Sequence, residues 1–206
     1  MHPNPAFRTT DTISALSFAS DIGFGALAIN DLDAPLLSHI PFLIDGSEVR
    51  FHLVRSNPIA RIVDKPTLAK LAIVGPHGYV SPDWYGVENQ VPTWNYVAIH
   101  LIGDIVPAPD EELQETLDLL SEEFETRLHP KPVWRSDKVD ADALLRMNRM
   151  IQPFRLKIKD VQSTFKLSQN KPVEARSLAA ENVETNGLGA DTAHLAALMK
   201  SAIHEE

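Results

Sequence analysis

Proline sets the strictest limit on what this chain can fold into. Its fifteen prolines are concentrated up to Pro132, where they cut the chain into short apolar runs. A proline lacks the backbone N–H and breaks a helix interior. Short apolar runs bounded by proline and glycine read as strands joined by turns. The later part of the chain reads mostly as helix. With 206 residues, 44% of them hydrophobic, one large domain or a domain with a smaller annex can bury a core.

Asp11 caps a predicted helix to Asp21, and Gly23-Phe24-Gly25 ends it before a buried strand over Ala26–Ile29. Leu36–Arg55 reads as a hairpin turning at Asp45-Gly46, with Ile40 opposite Phe51, Phe42 opposite Val49 and His39 opposite His52. One face then carries Ile40, Phe42, Ile44, Val49, Phe51 and Leu53, and the other His39, Pro41, Arg50 and His52. A slip of one residue would scramble that sorting, which supports the register. Leu68–Val74 is a strand, followed by a Gly75-Pro76-His77-Gly78 turn. Thr93–Val106 is a long β-rich run in which Gly103 marks a bulge or bend. Asp110 caps a helix to about Leu128, whose acidic residues read as a solvated face. A short helix over Asp140–Met150 precedes an alternating strand over Phe154–Leu167. Helices over Pro172–Glu184 and Asp191–His204 finish the chain. The class is α+β: an antiparallel β-barrel or curled sheet flanked by helices.

Several function classes are excluded. Without cysteine there is no disulfide scaffold, thiolate metal site or Cys nucleophile. There is no G-x-G-x-x-G after a strand, no P-loop, no H-E-x-x-H and no G-x-S-x-G. The net charge of −9 argues against strong nucleic-acid binding, and the last two helices are poor in Arg and Lys. No apolar stretch is long enough for a bilayer and no signal peptide is visible, so a cytoplasmic protein is expected. His39, His52 and His100 lie on predicted strands, the first two as cross-strand neighbours. Two imidazoles make half a zinc site, so no metal is expected.

Polar, aromatic, glycine and proline residues gather at strand ends, where ligand sites usually sit. The phrases are Ser38-His39-Ile40-Pro41-Phe42, His52-Leu53-Val54-Arg55-Ser56-Asn57-Pro58, Gly75 through Tyr85, Val91 through Tyr96, and Lys166-Leu167-Ser168-Gln169-Asn170-Lys171. Arg55 offers a planar fork to a phosphate, and Ser56 and Asn57 add neutral donors. Trp84, Tyr85, Trp94 and Tyr96 could stack on or wall off an aromatic ring, with plain core packing the better account of Tyr96. Lys166, Gln169 and Asn170 could reach the edge of a heterocycle.

These phrases, in this order, resemble the PaiB-like family of FMN-binding negative transcriptional regulators, from Pro3 through Lys171. The resemblance implies an antiparallel split-barrel FMN-binding domain over 1–171, with a C-terminal helical extension over 172–206 packed on it. It also implies a homodimer with FMN at the subunit interface. It places the flavin phosphate at the turn of His52, Arg55, Ser56 and Asn57, with Ser38 and His39 near the ribityl chain or ring edge. Ser81, Trp84, Trp94 and Asn95 would close the pocket, and Lys166 and Gln169 would approach from the late strand. His2 replaces the tyrosine usual near the family's N-terminus, and Pro58 stands where the wider split-barrel class has a basic residue. The function implied is a flavin-dependent sensor or negative regulator rather than an enzyme. The alternatives are an FMN-dependent oxidoreductase acting on a small molecule, a haem-binding split-barrel protein, and a repressor that itself binds DNA.

Overall fold

The computed structural model describes residues 1–202. In chain order the elements are α1 (Thr12–Ile22), β1 (Phe24–Ile29), β2 (Leu36–Pro41), β3 (Leu43–Asp45), β4 (Glu48–Val54), α2 (Pro58–Ile62), β5 (Thr67–Val80) and β6 (Thr93–Pro107). There follow α3 (Leu113–Thr126), α4 (Ala141–Asn148), β7 (Ile151–Lys166), α5 (Val173–Asn186), β8 (Gly189–Ala190) and α6 (Thr192–Ser201). The strands form one sheet in the order β2-β1-β5-β6-β7-β4-β3, with β8 paired to β5. The β1–β2, β1–β5, β3–β4, β4–β7 and β5–β8 pairings are antiparallel. The class is α+β, as expected. The predicted end of the last helix at His204 lies outside the described residues. Among the described residues no helix is long and apolar enough to cross a membrane.

The chain divides into two compact units. The first comprises Met1–Ser17, Ile73–His100 and the residues from Gln162 onward; the second comprises Phe18–Ala72 and Leu101–Val161.

In the second unit the predicted hairpin is corrected. β2 pairs with β1, so His39 lies opposite Ala26, and β4 pairs with β7, so His52 lies opposite Pro153. The hairpin is β3–β4 alone, with Ile44 opposite Val49 and Asp45 opposite Glu48. Gly46, at φ +60°, is the first loop residue, not the second. The true register is shifted by two residues from the predicted one. A shift of two preserves the side-chain parity, so Ile40, Phe42, Val49, Phe51 and Leu53 are still buried. Alternation alone therefore could not choose between the two registers. The phenyl rings of Phe51 and Phe154, opposite each other on β4 and β7, stack with centroids 5.8 Å apart.

Two like charges, Arg50 and Arg155, also face each other across β4 and β7. Asp45 (2.8 Å) and Glu115 (3.5 Å) compensate Arg50, while Glu48 and Glu112 compensate Arg155. The hydrogen bond from Arg155 to Glu112 holds the guanidinium pKa above its ordinary value. The acidic face of α3 is thus partly tied to the sheet rather than wholly solvated. Arg127 donates to the carbonyls of Ser20 and Asp21 at the end of α1 and to Glu123.

Three further expectations change. β5 runs through Gly75-Pro76-His77-Gly78 with no turn there; proline is tolerated where the ladder needs no N–H, and β8 pairs at His77 and Gly78. Gly103 makes room for a neighbouring strand: a Cβ there would lie 1.8 Å from the Lys157 carbonyl oxygen on β7. The expected cap is corrected: Pro109 holds the cap position of a short 3-10 turn, Asp110 is the first residue of that turn, and its carboxylate pairs with Arg55.

In the first unit the inward residues Ile73, Val80, Val97 and Ile99 of β5 and β6 are buried. Ala179, Ala180 and Val183 of α5 and Leu195, Ala196 and Met199 of α6 are buried as well.

Candidate functional site

The expected site residues fall into two groups, one in each unit. In the second unit, β2 alternates so that Ser38 turns toward the buried side with Ile40, while His39 is exposed beside Leu37. The His39 ring stacks on Phe24 at 6.3 Å. Beyond β4, Asn57 caps α2, a helix absent from the sequence reading: its Oδ1 accepts from the Ile59 N–H at 2.9 Å. Its Nδ2 donates to Ser38 Oγ at 3.0 Å, so these two predicted residues do meet. Arg55 donates from Nε to the Arg149 carbonyl at 3.2 Å and from Nη2 to Asp110 Oδ1 at 2.8 Å. Ser56 is exposed in the turn between them.

His52 is half-buried, and among the described residues its Nδ1 has no hydrogen-bond partner. Burial pushes its pKa below the ordinary 6.5. Below pH 6.5 the unfolded chain therefore binds more protons at this site than the folded chain does. Stability is expected to fall as pH drops from 6.5 toward the folded pKa, and to be unaffected by this group above 6.5. Urea midpoints of the protein and of His52→Leu, compared between pH 5 and 8, check this. The variant should show a shallower acid slope, and equal slopes would remove His52 as the cause.

In the first unit, three of the phrases meet in a buried polar knot. Ser168 Oγ lies 2.7 Å from Tyr85 Oη and accepts from Asn95 Nδ2 at 2.8 Å. Ser168 holds a left-handed backbone at φ +62°, a conformation that a non-glycine residue keeps only under constraint. Burial raises the Tyr85 pKa. Asn95 is fully buried, and the Gln169 amide accepts from Leu167 N and donates to the Ala6 and Phe165 carbonyls. Asn95 and Gln169 thus tie strand ends together. Lys166 Nζ donates to Thr93 Oγ1 at 2.5 Å, and burial lowers its pKa. Lys171 lies over the Tyr85 ring at 5.7 Å.

Alternation along β6 sends Trp94 to the face opposite Asn95. Trp94 is 41% exposed. Its Nε1–H donates to His77 Nδ1 at 3.3 Å, and the edge of Tyr79 meets it at 6.4 Å. An indole N–H can only donate, so this bond requires the unprotonated His77 Nδ1. The result is a flat, partly exposed ring held from two sides. Ser81 precedes the 3-10 turn Pro82–Tyr85 with no side-chain cap, and Trp84 within it is half-buried.

Four contributors were missed as site residues: His77, Tyr79, Ser168 and Asp110. His77 and Tyr79 could have been found, since two-residue alternation through Gly75–Val80 puts them on one face. The Arg55–Asp110 pair spans 55 positions, and no local pattern announces it. Among the described residues, no group of three or more His, Asp or Glu is placed to hold a metal ion.

Comparison with known proteins bears on the family and the fold. The family model described as "Putative FMN-binding domain" matches residues 1–160. The protease synthase and sporulation protein PAI 2 of Bacillus subtilis is 30% identical over 169 residues, covering 80% of each chain. Among solved structures, the FAD and heme binding protein from Mycobacterium smegmatis superposes with a TM-score of 0.59 at 15% identity, covering 89% of this chain and 82% of that one. The flavocytochrome Anf3 from Azotobacter vinelandii gives 0.59 at 13% identity, with 80% and 72% covered. The likeness to these structures is one of fold, the split barrel. The match over residues 1–160 and the 30% identity to PAI 2 over 80% of the chain show the family: the chain belongs to the PaiB-like family of FMN-binding domains.

Proposed function

We propose that this chain binds FMN as a homodimer and acts as a flavin-responsive negative regulator. The observation that carries the reading is Trp94: an exposed indole on a strand face, oriented by His77 and Tyr79, suits stacking with a planar ring. The residues also suit an anionic ligand. Among the described residues Arg55 donates from Nε and Nη2 and not from Nη1, and Ser56 is exposed beside it. In this reading Arg55 and Ser56 hold the phosphate, with Asn57 fixing the turn. Bound FMN would supply reversible redox chemistry. The protein's own part is to bind, orient and shield the ring.

Homodimerisation is supported by the outward face of β2, β1 and β5 in the second unit, where Phe24, Leu37 and Leu68 are exposed. The net charge of −9 favours action through a protein partner over direct DNA binding. The regulatory role follows the resemblance and the named B. subtilis relative.

Two experiments test this. Sedimentation should give a dimer, and Phe24→Arg should give a folded monomer; an unchanged dimer in the variant removes that face from the interface. The FMN-loaded protein should not consume NADH or NADPH steadily. Sustained turnover would replace the regulator with the oxidoreductase.

A further inference from the structure

We propose that Asp110 is an internal competitor for the anion that Arg55 takes, and so weakens this chain's hold on phosphate esters. The inference rests on the phosphate role given to Arg55 above.

Arg55 sits in the turn after β4, and its backbone N–H donates to the Met150 carbonyl at 2.9 Å. The bond from Nε to the Arg149 carbonyl fixes the guanidinium plane. That leaves Nη1 and Nη2 as the outward fork. Asp110 occupies one prong, through Oδ1 alone at 2.8 Å, and among the described residues Nη1 makes no hydrogen bond. Asp110 is the first residue of the short 3-10 turn, after Pro109 at the cap position, and its carboxylate is engaged by Arg55.

The pair is easily displaced. Arg55 is 41% and Asp110 62% exposed. Exposed ion pairs contribute little, and here only one carboxylate oxygen is engaged. A phosphate dianion can take both prongs and carries more charge. A phosphate ester therefore has to displace Asp110 before Arg55 can hold it with both prongs, whereas a neutral analogue does not. Glu112, two residues on, is already paired with Arg155, so Asp110 is the acidic partner that Arg55 has in hand.

The test is a set of flavin titrations followed by fluorescence, using FMN and riboflavin. Asp110→Asn should tighten FMN binding by about two- to fivefold and leave riboflavin unchanged. The gain should vanish in the Arg55→Ala background and be smaller in Glu111→Gln, which removes the same charge one residue away. Both side chains are exposed, so the thermal midpoints of the variants should stay near that of the parent. Equal tightening of FMN and riboflavin, or a gain that survives Arg55→Ala, would overturn the competitor role while leaving flavin binding in place. If Arg55→Ala binds FMN as the parent does, the phosphate role fails, and the inference fails with it.

Discussion

Gly103→Ala should lower the thermal midpoint by about 10 °C, the largest single-methyl effect expected in this chain. The added Cβ would lie 1.8 Å from the Lys157 carbonyl oxygen and 2.7 Å from its carbon. Both are backbone atoms of β7, so no rotamer change relieves the overlap. The strands must separate, and Leu156 Cδ2 at 3.1 Å closes off a third direction. Overpacking of this kind costs about 3 kcal/mol, at the upper end of the usual range. Gly46→Ala is the control. It has φ +60° and nothing within 4 Å of the added methyl, so it pays only the left-handed backbone penalty of about 1 kcal/mol. Calorimetry of the two variants separates the mechanisms. A Gly103→Ala midpoint equal to or above that of Gly46→Ala would contradict the close approach of β6 and β7.

Trp94→Ala should weaken FMN binding by about ten- to a hundredfold, since stacking a heterocycle on an aromatic side chain is worth about 1–3 kcal/mol. The indole is not a core group, so the loss should come without a matching loss of stability. Trp94→Phe keeps a ring but cannot donate to His77, and should recover most of the affinity. His77→Ala leaves the indole in place but frees it to rotate, and should cost less than losing the ring. Unchanged FMN affinity in Trp94→Ala would show that this aromatic face does not carry the flavin.

Parity and motif were legible in the sequence, while partners were not. The buried faces of β2 and β4 follow from alternation, which survives a register error of two residues. Which strand each pairs with does not follow from it: β4 finds Phe154 and Arg155 on β7, about a hundred positions away. Glycine gives no sign of why it is needed, so Gly103 read as a bend when it is a point of close contact. At the candidate site, the phrases around Tyr85, Asn95 and Ser168 were singled out by residue type. Residue type does not tell a ligand contact from a structural tie. The buried amides of Asn95 and Gln169 turn out to fasten strand ends, whereas Trp94, adjacent to Asn95, faces outward. Arg55 reads as a planar fork for phosphate or as half of a surface salt bridge; its partner Asp110 reads as a helix cap, so the pair itself is not legible.

The central claim is that this chain binds FMN, and the visible absorption spectrum tests it most directly. The purified protein is mixed with FMN, freed of excess by gel filtration and scanned. The account predicts retained flavin bands, shifted from those of free FMN by the stacked indole. A protein fraction without flavin bands, or one that carries a Soret band and rejects FMN, would contradict it.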